Sequence, residues 1–127
     1  MRLAHVALWT KDLEAAATFW REHFGAQVGE LYRSRRREGF ESRFVTLPDN
    51  RMQIELMAGP WVVDPATAEG VGWAHIALAL GSKEAVDAAA AKFDEIGLLA
   101  ASPRTTGDGF YEAVVRTPEG TPIEITV

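Results

Sequence analysis

LAHVAL at residues 3–8 returns as WAHIAL at residues 73–78, with four of six positions identical and His5 falling on His75. Each is a short apolar run with a β-branched centre, which reads as a buried strand. A single histidine in such a run is ordinarily a hydrogen-bonded core residue. A second one at the matching place, 70 residues later, asks whether the rest of the chain is duplicated too.

It is. Leu13, Ala16, Ala17 and Trp20 recur as Val86, Ala89, Ala90 and Phe93, the i, i+3, i+4, i+7 stripe of an amphipathic helix, placed shortly after each strand. Thr10 and Ser82 stand where N-caps belong, and Gly25 and Gly97 where the helices end. The final segments also correspond: LPDNRMQIEL at 47–56 resembles TPEGTPIEI at 117–125 after a one-residue gap, so Glu55 falls on Glu124. The pattern predicts an α+β fold of two tandem βαβββ modules forming a concave sheet. Strands are expected over 3–9, 27–33, 42–48 and 51–57, then over 73–80, 98–101, 110–116 and 122–126. Module 1 covers residues 1–58, the Pro- and Gly-rich segment 59–72 connects, and module 2 covers 73–127, in a single domain. One module has too few strands and too little buried face to be stable alone, so the two are expected to pack together.

Composition narrows the chemistry. Thirteen Lys and Arg against 18 Asp and Glu, a formal charge of −5, give no general attraction to nucleic acid or to anionic lipid. The opening MRLAHVALW runs straight into a strand-like segment, and no stretch reaches membrane-spanning length, so a cytoplasmic protein with neither membrane nor nucleic-acid partner is expected. With no cysteine in the chain, a metal would have to use His, Asp, Glu or water.

Strand alternation groups the side chains. His5, Ala7 and Trp9 share one face, as do His75, Ala77 and Ala79; Gln53, Glu55 and Met57 form a third set and Pro122, Glu124 and Thr126 a fourth. Each glutamate sits between aliphatic neighbours, Ile54 and Leu56 or Ile123 and Ile125. A carboxylate there is expensive unless paired or bound to a cation. Two histidines and two glutamates, one of each per repeat, fit a divalent metal held by His5, Glu55, His75 and Glu124. The bland alternative, two duplicated core histidines and two structural acids, doubles a cost that nothing evident in the sequence offsets.

The set His5, Glu55, His75, Glu124 on paired βαβββ modules resembles the vicinal oxygen chelate superfamily, and within it glyoxalase I. The most specific segments are AHVALWTKDLEAAATFW, GWAHIAL and TPEGTPIEI, and the likeness spans the chain. The resemblance implies a metal-dependent lyase or isomerase acting on a small-molecule α-hydroxy carbonyl formed from a 2-oxoaldehyde and a thiol. It also implies Glu124 as the base that moves a proton, with Glu55 its partner, either being able to leave the metal to act. The metal itself stays open among Ni, Co, Zn, Mn and Fe. A homodimer is implied, with sites built within one chain or across two. Other enzymes of the superfamily (epimerases, extradiol dioxygenases, thiol transferases) and a metal-free ligand-sequestering protein are the alternatives. In the typical glyoxalase I, an arginine four residues beyond the first ligand and an asparagine four beyond the second hold glutathione. Trp9 and Gly59 stand there in this chain, so a glutathione adduct is expected to be a poor substrate.

Four further residues are candidates for the substrate pocket: Trp9 and Met57 on the ligand-bearing strand faces, and Phe110 and Tyr111 in RTTGDGFYE at 104–112, which reads as a flap. YRSRRRE at 32–38 puts four arginines in a hairpin loop, able to draw in an anionic substrate or simply solvated.

Overall fold

The computed structural model describes residues 3–49, 52–66 and 69–127. Arg51, at the expected start of one strand, and residues 67 and 68 of the connector lie outside the described residues. The chain divides into two compact units, Met1–Ala66 and Thr67–Val127.

The first unit runs β1 (Val6–Trp9), α1 (Leu13–Phe24), β2 (Gln27–Val28), β3 (Tyr32–Arg33), β4 (Glu41–Thr46) and β5 (Gln53–Ala58). Its sheet has the order β1-β5-β4-β2, with β3 also on β4; β1 lies parallel to β5 and the other pairs are antiparallel. The second unit runs β6 (Ile76–Ala79), α2 (Lys83–Glu95), β7 (Leu99–Thr105), β8 (Tyr111–Arg116) and β9 (Pro122–Thr126), in the sheet order β6-β9-β8-β7. Again the first strand is parallel to the last, β6 on β9. These are the two βαβββ modules that the repeat predicts.

Each helix covers one face of its own sheet. Leu13, Ala17 and Trp20 of α1 are buried with Val45, Ile54 and Leu56 of β4 and β5, and Val86, Ala90 and Phe93 of α2 with Ala113, Val115, Ile123 and Ile125. Because strand side chains alternate, the residues between these core positions stand on the opposite face, which no helix of the same unit covers. His5 and His75 each lie just before their strand. They are exposed rather than buried, with side chains 42% and 46% accessible. The apolar run around each histidine is therefore half-covered, and its open side is where the histidine lies.

Two local expectations are corrected. The N-cap of α1 is Asp12, whose Oδ1 accepts from the Ala15 N–H at 2.9 Å. Thr10 is instead buried just ahead of the helix, its hydroxyl accepting from the Asp12 N–H and donating to the Asp12 carbonyl. Aspartate and threonine are both good caps, and the strand holds Thr10 two residues too early: its N–H bonds the Met57 carbonyl. In α2 the expected Ser82 is the cap, accepting from Ala85 N–H at 3.1 Å. The expected strand 27–33 is instead two short strands, β2 and β3, both on β4; between them the Gly29 N–H still bonds the Phe44 carbonyl, an approach at which an added Cβ would lie 3.0 Å from that oxygen.

Candidate functional site

The open face of the first unit is set by register. Ala7 lies opposite Glu55, Trp9 opposite Met57, Phe44 opposite Glu55 and Ser42 opposite Met57, so all these side chains share the face on which His5 stands. His5 Nε2 is 3.8 Å from Glu55 Oε2. The Phe44 ring meets the imidazole edge-on, with centroids 5.3 Å apart, and so limits its rotation. Further along, Trp9 packs edge-on against Phe40, and Phe40 against Tyr32. Trp61, from the segment after β5, adds a third wall through Arg37, whose guanidinium lies 3.9 Å over the Trp61 ring.

In the second unit Ala77 and Val114 both lie opposite Glu124, while Ala79 and Glu112 lie opposite Thr126. His75 Nε2 is 3.4 Å from Glu124 Oε2. Glu112 is almost wholly buried and accepts from the Arg104 guanidinium at 3.1 Å. Burial holds the Glu124 carboxyl above the usual carboxylate range. The charge of Glu112, and a hydrogen bond between the two carboxyls that needs one proton to exist, push it the same way, with His75 opposing.

Within each unit the described residues thus bring together one histidine and one glutamate, and no group of three or more metal-ligating side chains forms among them. The separations suit two donors to one ion. Nitrogen and oxygen ligands at about 2.0–2.2 Å from a metal stand roughly 3–3.5 Å apart for octahedral to tetrahedral angles. The 3.4 Å pair fits directly, and the 3.8 Å pair needs a small rotation about side-chain bonds. Glu55 and Glu124 are each about one-fifth exposed, open enough to take up a cation.

Of the four residues expected to line a pocket, Trp9 and Met57 stand on the open face of the first unit, side by side in register. Phe110 is an exposed residue of the turn before β8. Tyr111 is on the other side of its sheet from Glu124: its hydroxyl donates to Asp87 of α2 at 2.6 Å and the Lys83 ammonium lies over its ring. Alternation explains the placement, since Glu112 and Val114 face Glu124 and their neighbour Tyr111 must face the helix.

Sequence reading overlooked Glu112, Arg104, Phe44 and Trp61. Glu112 and Phe44 were within reach, because each falls on its open face once the antiparallel register is known; the register itself depends on turn geometry that the sequence does not spell out. Trp61 lies in a connector with no periodicity to place it.

Comparison with known proteins supports the same architecture. A family profile described as the Glyoxalase/Bleomycin resistance protein/Dioxygenase superfamily matches residues 2–125. Among solved structures, a glyoxylase/bleomycin resistance protein/dioxygenase domain from Frankia sp. EAN1pec superposes with a TM-score of 0.85 at 15% identity, covering 100% of this chain and 97% of that one. A glyoxalase family protein from Enterococcus faecalis gives 0.79 at 20% identity over 99% and 97% of the two chains. The trypanothione-dependent glyoxalase I of Leishmania major gives 0.76 at 19% identity over 99% and 86%. No curated protein matches the chain.

Proposed function

We propose, on the premise that the chain belongs to the Glyoxalase/Bleomycin resistance protein/Dioxygenase superfamily, that it is a metal-dependent, glyoxalase I-like lyase or isomerase moving a proton at an α-hydroxy carbonyl substrate. One observation carries this reading: a His–Glu pair stands at the same register on the open face of both units, 3.8 Å apart in one and 3.4 Å in the other. His5, Glu55, His75 and Glu124 would hold the metal, and a full set of four needs one pair from each unit, taken from one chain or from two. When bound, a divalent ion supplies Lewis acidity that stabilises the negative charge left on the substrate oxygens as a C–H proton departs.

The proton's route belongs to the carboxylates. Glu124 is the base of this reading, as the resemblance to glyoxalase I implies, and in the metal-free chain burial already holds its carboxyl above the usual range. Glu112 adds to the effect of burial, and Arg104 balances this second carboxylate so that the pair is tolerated at low exposure. Glu55 lies opposite Ala7 and Phe44 and beside His5, with no such carboxylate facing it among the described residues, and serves as ligand and opposite partner. Proton return to the adjacent carbon completes the isomerisation.

Recognition differs from that of a glutathione-binding site. The Trp9 ring meets Phe40 edge-on and lies 5.6 Å from the Arg37 guanidinium carbon, and a Cβ at Gly59 would lie 2.4 Å from the Trp61 ring. An asparagine at 59 therefore has no room while Trp61 holds its place. A substrate group that loses a charged partner typically binds about 2–5 kcal/mol more weakly.

Elemental analysis tests the metal site. The purified protein is expected to hold about one divalent ion per chain; His75→Ala should empty most of it and His23→Ala should not. Equal metal content in the two variants removes the assignment. Assembly is read as a homodimer. Mixing a His5→Ala with a Glu124→Gln preparation should then restore metal binding if these residues serve one site from two chains, and a monomer by light scattering at micromolar concentration refutes the dimer.

A further inference from the structure

We infer that Arg37, laid against Trp61 beside Trp9 and Phe40, is a carboxylate receptor, and that the substrate carries a carboxylate on a flat apolar body. This names the substrate class of the site just proposed and rests on that reading.

The arginine is held on three sides. Its guanidinium carbon lies 3.9 Å over Trp61, 5.6 Å from the Trp9 ring and 5.9 Å from the Phe40 ring. The loop that carries it is tied down: the Ser34 hydroxyl accepts from the N–H groups of Arg36 and Arg37, and the Arg37 carbonyl accepts from Phe40 N–H. Two glycines seat the wall behind it. A Cβ on Gly39, whose φ is 79°, would come within 2.8 Å of the Pro60 ring, and one on Gly59 would strike Trp61. A guanidinium stacked on an aromatic face keeps its in-plane N–H groups for a partner, and two parallel N–H groups match a carboxylate.

That partner is missing from the chain's own described residues. Arg33 pairs with Glu41, Arg43 with Glu14 and Arg104 with Glu112. Among the described residues no carboxylate lies within 4.0 Å of Arg37, in a protein with 18 acidic residues. Beside it Trp9 remains 43% exposed and Tyr32 57%, an apolar surface for a flat group to cover. Distance ties the receptor to the reacting end: Trp9 is level with Met57, two residues beyond Glu55, so the aromatic wall begins about 7 Å along the strand from the backbone position of Glu55. A substrate spanning that length can present oxygens to the His5–Glu55 pair while its carboxylate meets Arg37.

The test uses full-length, chelator-treated protein and isothermal titration with 3-phenylpropanoate, 3-phenylpropanamide and butanoate. The aryl acid should bind at least tenfold more tightly than either the aryl amide or the aliphatic acid. Arg37→Gln should erase the difference between acid and amide, with Arg35→Gln retaining it and His23→Ala leaving it unchanged. Equal binding of acid and amide, no binding of the aryl acid, or an equal loss in the Arg35 and Arg37 variants overturns the proposal. So does a change of oligomeric state in Arg37→Gln with acid affinity unaltered, which would make the wall a contact between copies. The measurement needs no metal: acid-selective binding in a protein that takes up no metal would defeat the enzymatic reading alone, and metal uptake without acid selectivity would defeat only this one.

Discussion

The two units keep the same ligand pair and surround it with opposite chemistry. Where the first has Trp9, Ser42, Phe44 and Met57, register places Ala79, Glu112, Val114 and Thr126 in the second. The first face is aromatic and ends in an arginine; the second is lined by small residues and a second carboxylate. Their helix-covered sides, by contrast, remain alike, with Ile54 and Leu56 answered by Ile123 and Ile125. The buried aliphatic positions of the central strands have kept their character, Val45 being answered by Val115, while those beside the His–Glu pair have changed, which is the pattern expected if one unit came to recognise the substrate and the other to handle its proton. Packing leaves the core side less freedom, because a change of even one methylene is felt there.

The sharpest way to break this division is to remove each glutamate's proton-accepting ability in turn. Glu124→Gln should lower kcat by about 10²–10⁴-fold in metal-reconstituted protein, the range for loss of a general base. Glu55→Gln, assayed at saturating metal, should lose distinctly less. Equal losses would mean that the units share the proton work and that the raised Glu124 carboxyl has no special part. The assay is exchange of the substrate C–H in deuterated water, on whichever thiol hemithioacetal or related α-hydroxy carbonyl shows turnover in a substrate screen.

A smaller effect sharpens the recognition side. Gly59→Asn forces its side chain into the Trp61 ring, and overpacking of this kind typically costs about 1–3 kcal/mol. Urea unfolding monitored by tryptophan fluorescence should show that loss, together with a native-state emission shift as Trp61 leaves Arg37. An unchanged midpoint and spectrum would mean that the ring is free to move aside, and that glycine at 59 is not what keeps an asparagine out.

The smallest effect is a pH dependence. Because Glu124 has a higher pKa in the folded protein than in the unfolded chain, the folded state binds its proton more tightly. The resulting stabilisation is fully present below the ordinary carboxylate range and is lost as pH rises through the raised value. Metal-free wild type should therefore lose melting temperature, relative to Glu124→Gln, as pH is raised from about 4 to 7. Glu112→Gln removes one cause of the shift and should shrink that loss. If the gap between wild type and Glu124→Gln stays constant across this range, the carboxyl is not held above its usual range in the folded protein.

The duplicated LAHVAL and WAHIAL, the two i, i+3, i+4, i+7 stripes and the glycines at 25 and 97 by themselves determined the paired βαβββ architecture, since periodicity and helix termination are local properties of the chain. Alternation along a strand also put His5, Ala7 and Trp9 on one face, and Glu55 with Met57. Which strand faces which, and hence that Glu112 confronts Glu124 while Tyr111 turns to Asp87, was decided only by register. The same holds for Arg37 on Trp61: the two residues are 24 positions apart in segments without period, and the hairpin loop meets the segment after β5 only because β4 and β5 pair across Glu41 and Ala58. Thr10 is the converse case, a residue whose capping chemistry was legible but whose backbone the strand had already claimed by its bond to Met57, leaving Asp12 to start the helix.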